Sequence, residues 1–142
     1  MRLVVDANVA IKWFVQENLH DQARYLLVRD DPLFAPDFLA IELANIAWKK
    51  ARIGEIGEAQ ALDIAAYPRD GAAQLVPSEF LLGQAVSMAL ALRHPVYDCL
   101  YLACAEYVDG VLVTADLRLR RAVENSPYDR RVRLLQEWAL DA

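Results

Sequence analysis

The sequence predicts an α/β fold, a three-layer sandwich in which helices flank a central parallel sheet of four to five strands. Short runs rich in Val and Leu, such as Leu3–Val5 and Val111–Thr114, are continuous rather than alternating, as expected for strands covered on both faces. Longer helix-like segments separate these runs throughout the chain. The length of 142 residues is that of one domain, so we expect a single domain over residues 1–142.

The first half of the chain begins with the strand Leu3–Val5, after which Asn8 can cap a helix over Val9–Val15. Asp30-Asp31-Pro32 ends a second helix that starts near Leu19. The remaining elements predicted for this half are a strand at Leu33–Ala35, a helix over Phe38–Arg52 and a helix over Ile56–Ala66.

The second half alternates in the same way. The helix from Ser78 to Arg93 is apolar almost all round, which is typical of a central helix or of one in a subunit interface. The other elements predicted here are a strand at Gln74–Pro77, a helix over Asp98–Val108, a strand at Val111–Thr114, a helix from Asp116 to Glu124 and an edge strand at Val132–Leu135.

The composition excludes several classes of protein. With 56% hydrophobic residues the chain can bury a core, yet no apolar run reaches the roughly 18 residues of a membrane span. Cys99 and Cys104 are five residues apart on one helix and cannot bridge, which favours buried thiols in a reducing compartment. Because the chain opens directly on a strand, we expect no signal peptide, and therefore a cytoplasmic protein without a membrane anchor. The net charge of −5 argues against a nucleic-acid coat protein but permits an enzyme with a local basic rim.

Four carboxylates stand out. Asp6 and Asp116 follow the two clearest strands, where ligands of parallel sheets bind, while Glu42 interrupts an apolar helix stripe and Asp98 heads a helix. Each has an ordinary explanation, because aspartates cap helices and a glutamate at a stripe edge can turn to solvent. Gathered at one sheet edge, however, they would repel one another unless a cation joined them. Oxygen ligands alone select a hard ion, Mg²⁺ or Mn²⁺.

Thr114, the only threonine, ends its strand where its hydroxyl can orient Asp116 or bind a water. His20 and His94 show no companion at metal or catalytic spacing, so we predict structural roles for both.

Four segments resemble the motifs of PIN-domain ribonucleases, of the kind found as VapC-type toxins of bacterial toxin–antitoxin pairs. They occur in the order of that family and span most of the chain: Val4–Asn8, Phe38–Asn45, Pro95–Ala103 and Leu112–Asp116. The resemblance implies a PIN-like fold and an endoribonuclease that uses Mg²⁺ or Mn²⁺ to hydrolyse RNA phosphodiester bonds with water.

The resemblance also implies roles for individual residues. Asp6, Asp98 and Asp116 would hold one ion, and Glu42 would hold a second ion or orient the attacking water. Asn8 and Thr114 would support them. Some members carry a further acidic residue shortly after the fourth carboxylate, whereas Leu117–Arg120 follow here, so the number of ions stays open.

Partners follow from the resemblance as well: an RNA substrate, a cognate antitoxin and a second copy of the chain. The antitoxin would occupy a groove between Ala40–Ala51 and Ile56–Ala66, unless these surfaces belong to the core. Trp13 either stacks on an RNA base or lies in the core. Candidate phosphate-binding side chains are Lys12, Lys49, Lys50, Arg118, Arg120 and Arg121.

Other classes of function fit less well. A haloacid-dehalogenase-type phosphatase needs a second aspartate where Asn8 stands and a basic residue deep in the fold, but no lysine follows Lys50. The chain also lacks the acidic pair and the late lysine that a phospho-receiver domain needs. A non-catalytic binding module on this fold remains the alternative from another class.

Overall fold

The computed structural model describes residues 1–69 and 71–138, with Arg69 represented by its backbone alone. Within those residues five strands form one sheet, which confirms the predicted α/β sandwich with a central sheet. The strands are β1 (Leu3–Val5), β2 (Leu33–Pro36), β3 (Ala73–Val76), β4 (Val111–Thr114) and β5 (Val132–Leu134).

Helices separate the strands and flank the sheet. The long helix predicted over Phe38–Arg52 has those bounds in the structure. The α-helices are α1 (Ala7–Ala10), α2 (His20–Val28), α3 (Phe38–Arg52), α4 (Glu58–Ala66), α5 (Leu82–Leu92), α6 (Val96–Tyr107) and α7 (Leu117–Val123). Across the described part of the chain, no helix has both the length and the apolar character needed to span a membrane.

The sheet is parallel throughout, in the order β3-β2-β1-β4-β5. The chain moves outward from the central β1 through β2 and β3, then returns to place β4 on the other side of β1. The strand order therefore reverses between β1 and β4, and the carboxyl ends of these two strands border the crevice where ligands of such sheets bind. Because Val5 is in register with Val113, Asp6 and Thr114 follow at the same level of the sheet.

The core is centred on β1 and α6. Leu3, Val4 and Val5 are buried, as expected for a strand covered on both faces. All seven residues from Cys99 to Ala105 are buried too, so α6 is an interior helix for most of its length. Both cysteines are free thiols within this helix, in agreement with the prediction.

Four predicted helix starts were wrong, among them the start at Ile56, because α4 begins at Glu58. Asp6, not Asn8, caps α1, because Asp6 is extended and accepts from the backbone N–H of Val9, whereas Asn8 lies inside the helix and is exposed. The helix containing Asp98 begins at Val96 after Pro95, since proline is well suited to a helix start, and Asp98 lies within its first turn. The helix predicted from Ser78 is divided into a 3₁₀ turn over Ser78–Phe80 and α5.

Candidate metal centre

Asp6 is buried at the end of β1 and is held by two hydrogen bonds. Its Oδ1 accepts from the backbone N–H of Val9 at 2.9 Å, and its Oδ2 accepts from Thr114 Oγ1 at 2.5 Å. Burial raises the pKa of Asp6 to about 6; the two hydrogen bonds oppose the rise, and the negative charges of Glu42 and Asp98 add to it. The two hydrogen-bond donors therefore orient the carboxylate, while burial and the neighbouring negative charges destabilise its ionised form.

Asp116 follows β4 by two residues and caps α7. Its Oδ1 accepts from the backbone N–H groups of Arg118 at 2.9 Å and Leu119 at 3.3 Å. Its own backbone N–H donates to Thr114 Oγ1 at 3.1 Å. The hydroxyl of Thr114 thus joins the backbone of Asp116 to the side chain of Asp6, which extends the expected contact with Asp116 alone.

Glu42 lies on α3 and faces α6. Its Oε1 accepts a short hydrogen bond from the hydroxyl of Tyr101. Burial raises the pKa of Glu42, the Tyr101 hydroxyl lowers it, and the charge of Asp98 raises it again. The pKa of Tyr101 is raised by burial and by the charges of Glu42, Asp6 and Asp98, so this phenol stays protonated and donates. Tyr101 is a site residue that sequence reasoning missed; its position three residues after Asp98, on the same helix face, is the signal that was present.

Asp98 is the fourth carboxylate, and its side chain contacts a histidine. His94 Nε2 lies 2.9 Å from Asp98 Oδ2, so the prediction that His94 has no companion was wrong. The spacing of four residues that brings the pair together was visible in the sequence. Burial raises the pKa of Asp98; His94 and Arg118 oppose the rise, and the charge of Asp116 adds to it. His20, in contrast, has the structural role predicted for it, with Nδ1 directed at the carbonyls of Lys12 and Val15.

The structure places the four predicted carboxylates around the switch between β1 and β4, within reach of one another's charge, but Asp6 and Glu42 do not join the tight group formed by Asp98, Asp116 and His94. Asp6 and Glu42 are each influenced by the charge of Asp98, and Asp98 in turn by that of Asp116. Donor atoms of His94, Asp98 and Asp116 all lie within 4.8 Å of one another, a spacing that one cation can bridge. Crowded carboxylates with raised pKa values are the charge pattern that a divalent cation relieves. The donor set consequently fits the implied metal.

Two of the predicted lysines lie in ion pairs. Lys12 Nζ is 3.3 Å from Glu17 Oε1, and Lys50 Nζ is 3.0 Å from both Glu17 Oε2 and Glu55 Oε2. These pairs reduce the charge available to RNA. Lys49 is exposed.

The predicted arginines lie on α7. Arg118 is exposed and lowers the pKa of Asp98 through its charge, which places it beside the metal centre. Arg121 is also exposed, whereas Arg120 forms an ion pair with Asp129 at 2.5 Å. Arg118 is thus the predicted phosphate contact with the closest link to the carboxylates.

One aromatic pair adjoins the site. Tyr97, which directly precedes Asp98, is 63% exposed and stacks on Phe38, with ring centroids 5.4 Å apart and planes 15° apart. Phe38 is one helical turn before Glu42 on α3. Trp13 was predicted either to stack on an RNA base or to lie in the core. It lies in the core, and its Nε1–H donates to the Ala23 carbonyl.

Two apolar surfaces lie outside the group of carboxylates. Exposed leucine and valine side chains form a stripe on α5, at Leu82, Val86 and Leu90. A groove of about 480 Å³ runs between α3 and α4, so these two surfaces line a groove and are not packed into the core. Its lining combines small and large apolar side chains with one residue of each charge: Ala44, Trp48, Ala51, Arg52, Glu58, Ala61, Leu62 and Ala65.

Comparisons with known proteins agree with this fold. The family model of the PIN domain matches residues 3–125. Ribonuclease VapC3 of Pyrobaculum aerophilum is 34% identical over 121 residues, which make up 84% of this chain and 92% of that protein. Among solved structures, PAE2754 from Pyrobaculum aerophilum superposes with a TM-score of 0.67 at 20% identity, covering 96% of this chain and 85% of that chain.

A second solved structure, VapBC2 from Rickettsia felis bound to a DNA fragment from their promoter, superposes with a TM-score of 0.62 at 14% identity. The match covers 98% of this chain and all of that chain. At these identities the two structures establish the fold, while the family model and the 34% identical relative establish membership. The chain belongs to the PIN-domain family, among its VapC-type members.

Proposed function

We propose that this chain is an endoribonuclease that depends on a divalent cation, Mg²⁺ or Mn²⁺, and acts as the toxin of a toxin–antitoxin pair. The observation that carries the proposal is the convergence of Asp6, Glu42, Asp98 and Asp116 on one crevice, from segments far apart in sequence. The name of the relative Ribonuclease VapC3 supports RNA as the substrate. In this proposal residues 1–142 act as a single PIN domain.

Asp6, Asp98 and Asp116 would hold the cation. When bound, a divalent cation supplies positive charge against the phosphate oxygens and makes nearby water more acidic. Glu42, fixed by the Tyr101 hydroxyl, orients the attacking water and accepts its proton, or holds a second ion. The raised pKa of Glu42 makes it a stronger base than an ordinary carboxylate. Thr114 keeps Asp6 and Asp116 in place, and exposed Asn8 binds water beside them.

The reaction is a hydrolysis. The water oxygen bonds to phosphorus while the bond from phosphorus to the 3′ oxygen breaks, which leaves a 3′-hydroxyl and a 5′-phosphate. The RNA 2′-hydroxyl is not the nucleophile, so products with 2′,3′-cyclic phosphate ends would contradict this mechanism.

RNA contacts come from groups around the crevice. Arg118 neutralises a phosphate next to the carboxylates, with Lys49 and Arg121 further out and the ion-paired Lys12, Lys50 and Arg120 in lesser roles. The exposed face of Tyr97 stacks on an unpaired base, supported from behind by Phe38. This arrangement favours single-stranded or loop RNA, because a base inside a duplex cannot reach the ring.

The two apolar surfaces take the protein partners. An antitoxin segment occupies the groove between α3 and α4, and it places an arginine among the carboxylates to silence them. The stripe on α5 pairs with a second copy of the chain, because its side chains recur at every fourth position and form one continuous face.

The test is cleavage of end-labelled single-stranded RNA by the purified protein. We expect cleavage with Mg²⁺ or Mn²⁺ and none after EDTA or in Asp6→Asn. Asp63→Asn is the matched control, since it removes an exposed carboxylate on α4 away from the crevice. Activity that survives EDTA or Asp6→Asn would exclude the metal centre as its source. RNA binding without cleavage under every condition would favour a non-catalytic binding module instead.

A further inference from the structure

His94 lies within the group of donor atoms formed with Asp98 and Asp116. Its Nε2 lies 2.9 Å from Asp98 Oδ2, and a ring nitrogen also lies within 4.8 Å of a carboxylate oxygen of Asp116. Donor atoms bound about 2.1 Å from one cation at right angles are about 3 Å apart, so the spacing to Asp98 suits two ligands of the same ion.

The position of this imidazole is set by the backbone contacts around it. Arg93 ends α5 in the left-handed region at φ 53°, and the backbone N–H of His94 donates to the Ala89 carbonyl at 3.2 Å. The thiol of Cys99 lies 3.8 Å from the His94 carbonyl, and Pro95 follows directly. The side chain itself is only 8% exposed. A ring held in this way is preorganised toward the carboxylates without needing a cation to fold the loop.

We propose that His94 is a nitrogen ligand of the cation held by Asp98 and Asp116, so that this chain prefers a transition-metal dication such as Co²⁺ or Mn²⁺ over Mg²⁺. The proposal rests on the metal centre of the proposed function and changes its donor set from oxygen alone to oxygen and nitrogen. Coordination uses the lone pair of Nε2 while the proton resides on Nδ1. It also frees Asp98 Oδ2 from its hydrogen bond for the cation.

The expected selectivity follows from ligand chemistry. Mg²⁺ prefers an octahedron of oxygen ligands and retains its waters, whereas affinity for a site with nitrogen rises from Mn²⁺ to Co²⁺. His94 should therefore contribute strongly to binding of Co²⁺ and little to binding of Mg²⁺. A histidine that only hydrogen-bonds Asp98 would affect both ions alike.

Electron paramagnetic resonance of the Mn²⁺-loaded protein tests the contact directly, without RNA. The chain has two histidines, and His20 is directed at backbone carbonyls elsewhere, so labelling histidine with ¹⁵N gives an almost unique probe. We expect a directly coordinated nitrogen whose modulation changes on ¹⁵N labelling and is lost in His94→Gln. The absence of nitrogen coupling in the wild-type protein, or its persistence in His94→Gln, would overturn the proposal.

Metal affinities give a second measurement. Glutamine can still donate a hydrogen bond to Asp98 but is a poor nitrogen ligand, so His94→Gln separates the two roles. We expect the variant to bind Co²⁺ about tenfold more weakly and Mg²⁺ within about twofold of wild type. An equal loss for both ions would assign His94 to orientation of Asp98 alone. RNA cleavage is measured separately. Nitrogen coordination without cleavage would contradict the proposed function, but the assignment of His94 as a ligand would stand.

Discussion

Thr114 Oγ1 donates to Asp6 Oδ2 at 2.5 Å and accepts from the backbone N–H of Asp116 at 3.1 Å. One fully buried hydroxyl thereby connects the ends of β1 and β4, across 108 residues of sequence between Thr114 and Asp6. The carboxylate of Asp6 and the backbone of Asp116 are consequently positioned by the same atom.

Replacing this hydroxyl should uncouple the Asp6 carboxylate from the backbone of Asp116. Thr114→Val keeps the shape of the side chain but removes both hydrogen bonds, so we expect about 1–3 kcal/mol of lost stability and at least a tenfold fall in RNA cleavage. Thr114→Ser retains the hydroxyl and should keep most of the activity. Denaturant unfolding and cleavage rates measure the two effects, and a fully active Thr114→Val would show that the hydroxyl does not position the site.

The raised pKa of Asp6 makes the stability of the metal-free protein depend on pH. The folded state binds this proton more tightly than the unfolded chain, so the contribution is complete below pH 3.8 and is lost as pH rises through about 6. The loss amounts to at most about 3 kcal/mol. We expect Asp6→Asn, measured in EDTA, to be less stable than or equal to wild type at pH 4 and more stable at pH 7.

The comparison with Asp6→Asn isolates this carboxylate from others whose pKa values are lowered, such as Asp31 and Asp129. Adding a divalent cation at pH 7 should remove the advantage of the variant. A large fall in the melting temperature of Asp6→Asn at pH 7 in EDTA would mean that Asp6 is needed for folding instead.

Tyr101 should affect catalysis more than metal binding. Tyr101→Phe removes the donor that fixes Glu42, and loss of a hydrogen bond to a charged group corresponds to a fall of about ten- to a hundredfold in cleavage. Tyr107→Phe, at the exposed end of the same helix, is the matched control. Rates at saturating cation, together with calorimetric cation affinities, separate the two effects; unchanged cleavage in Tyr101→Phe would remove Tyr101 from the mechanism.

Tyr97 should contribute to RNA binding through its ring. Tyr97→Ala removes the stacking surface and should weaken binding of single-stranded RNA about five- to a hundredfold, while Tyr97→Phe retains it. Binding is best measured in EDTA with 2-aminopurine in the RNA, whose fluorescence is quenched on stacking. Equal affinities for the alanine and phenylalanine variants would place the RNA elsewhere.

The two apolar surfaces should separate two kinds of assembly. Leu62 on α4 is 72% exposed and Leu90 on α5 is 77% exposed, so Leu62→Glu and Leu90→Glu form a matched pair. Leu62→Glu should weaken binding of the proposed antitoxin and leave the proposed dimer intact, because it replaces an apolar contact in the groove with a charge that is costly to bury. Leu90→Glu should do the reverse. Size-exclusion chromatography with light scattering and co-purification distinguish these outcomes.

Much of the fold followed from local patterns. Buried strands such as Val111–Thr114 and the helix Phe38–Arg52 were predicted with the bounds that the structure has, because their apolar periodicity has no competing pattern. Helix starts were less predictable. Asp6 and Asn8 are both good caps, and only the extended backbone of Asp6 decides between them.

The site was predictable to the extent that it depends on strand ends. Asp6 and Asp116 follow β1 and β4, and parallel strands bring their carboxyl ends together. The partners Tyr101 and His94 were missed for a different reason. Tyr101 meets Glu42 between two helices, and the packing of α3 against α6 is contained in no local window. His94 lies in the turn before α6, and its local spacing from Asp98 becomes a contact only through the geometry of that turn.

The parallel pairing of β1 with β4 has a consequence for how the protein is made. Asp6 and Glu42 leave the ribosome before Thr114 and Asp116 are synthesised, and β4 can join β1 only after that. A nascent or prematurely terminated chain that stops before β4 carries Asp6, Glu42 and Asp98, but it lacks Asp116 and the Thr114 hydroxyl. Completion of the crevice therefore waits for the synthesis of β4, so the ribosome is not exposed to a finished site while the segments before β4 are being translated.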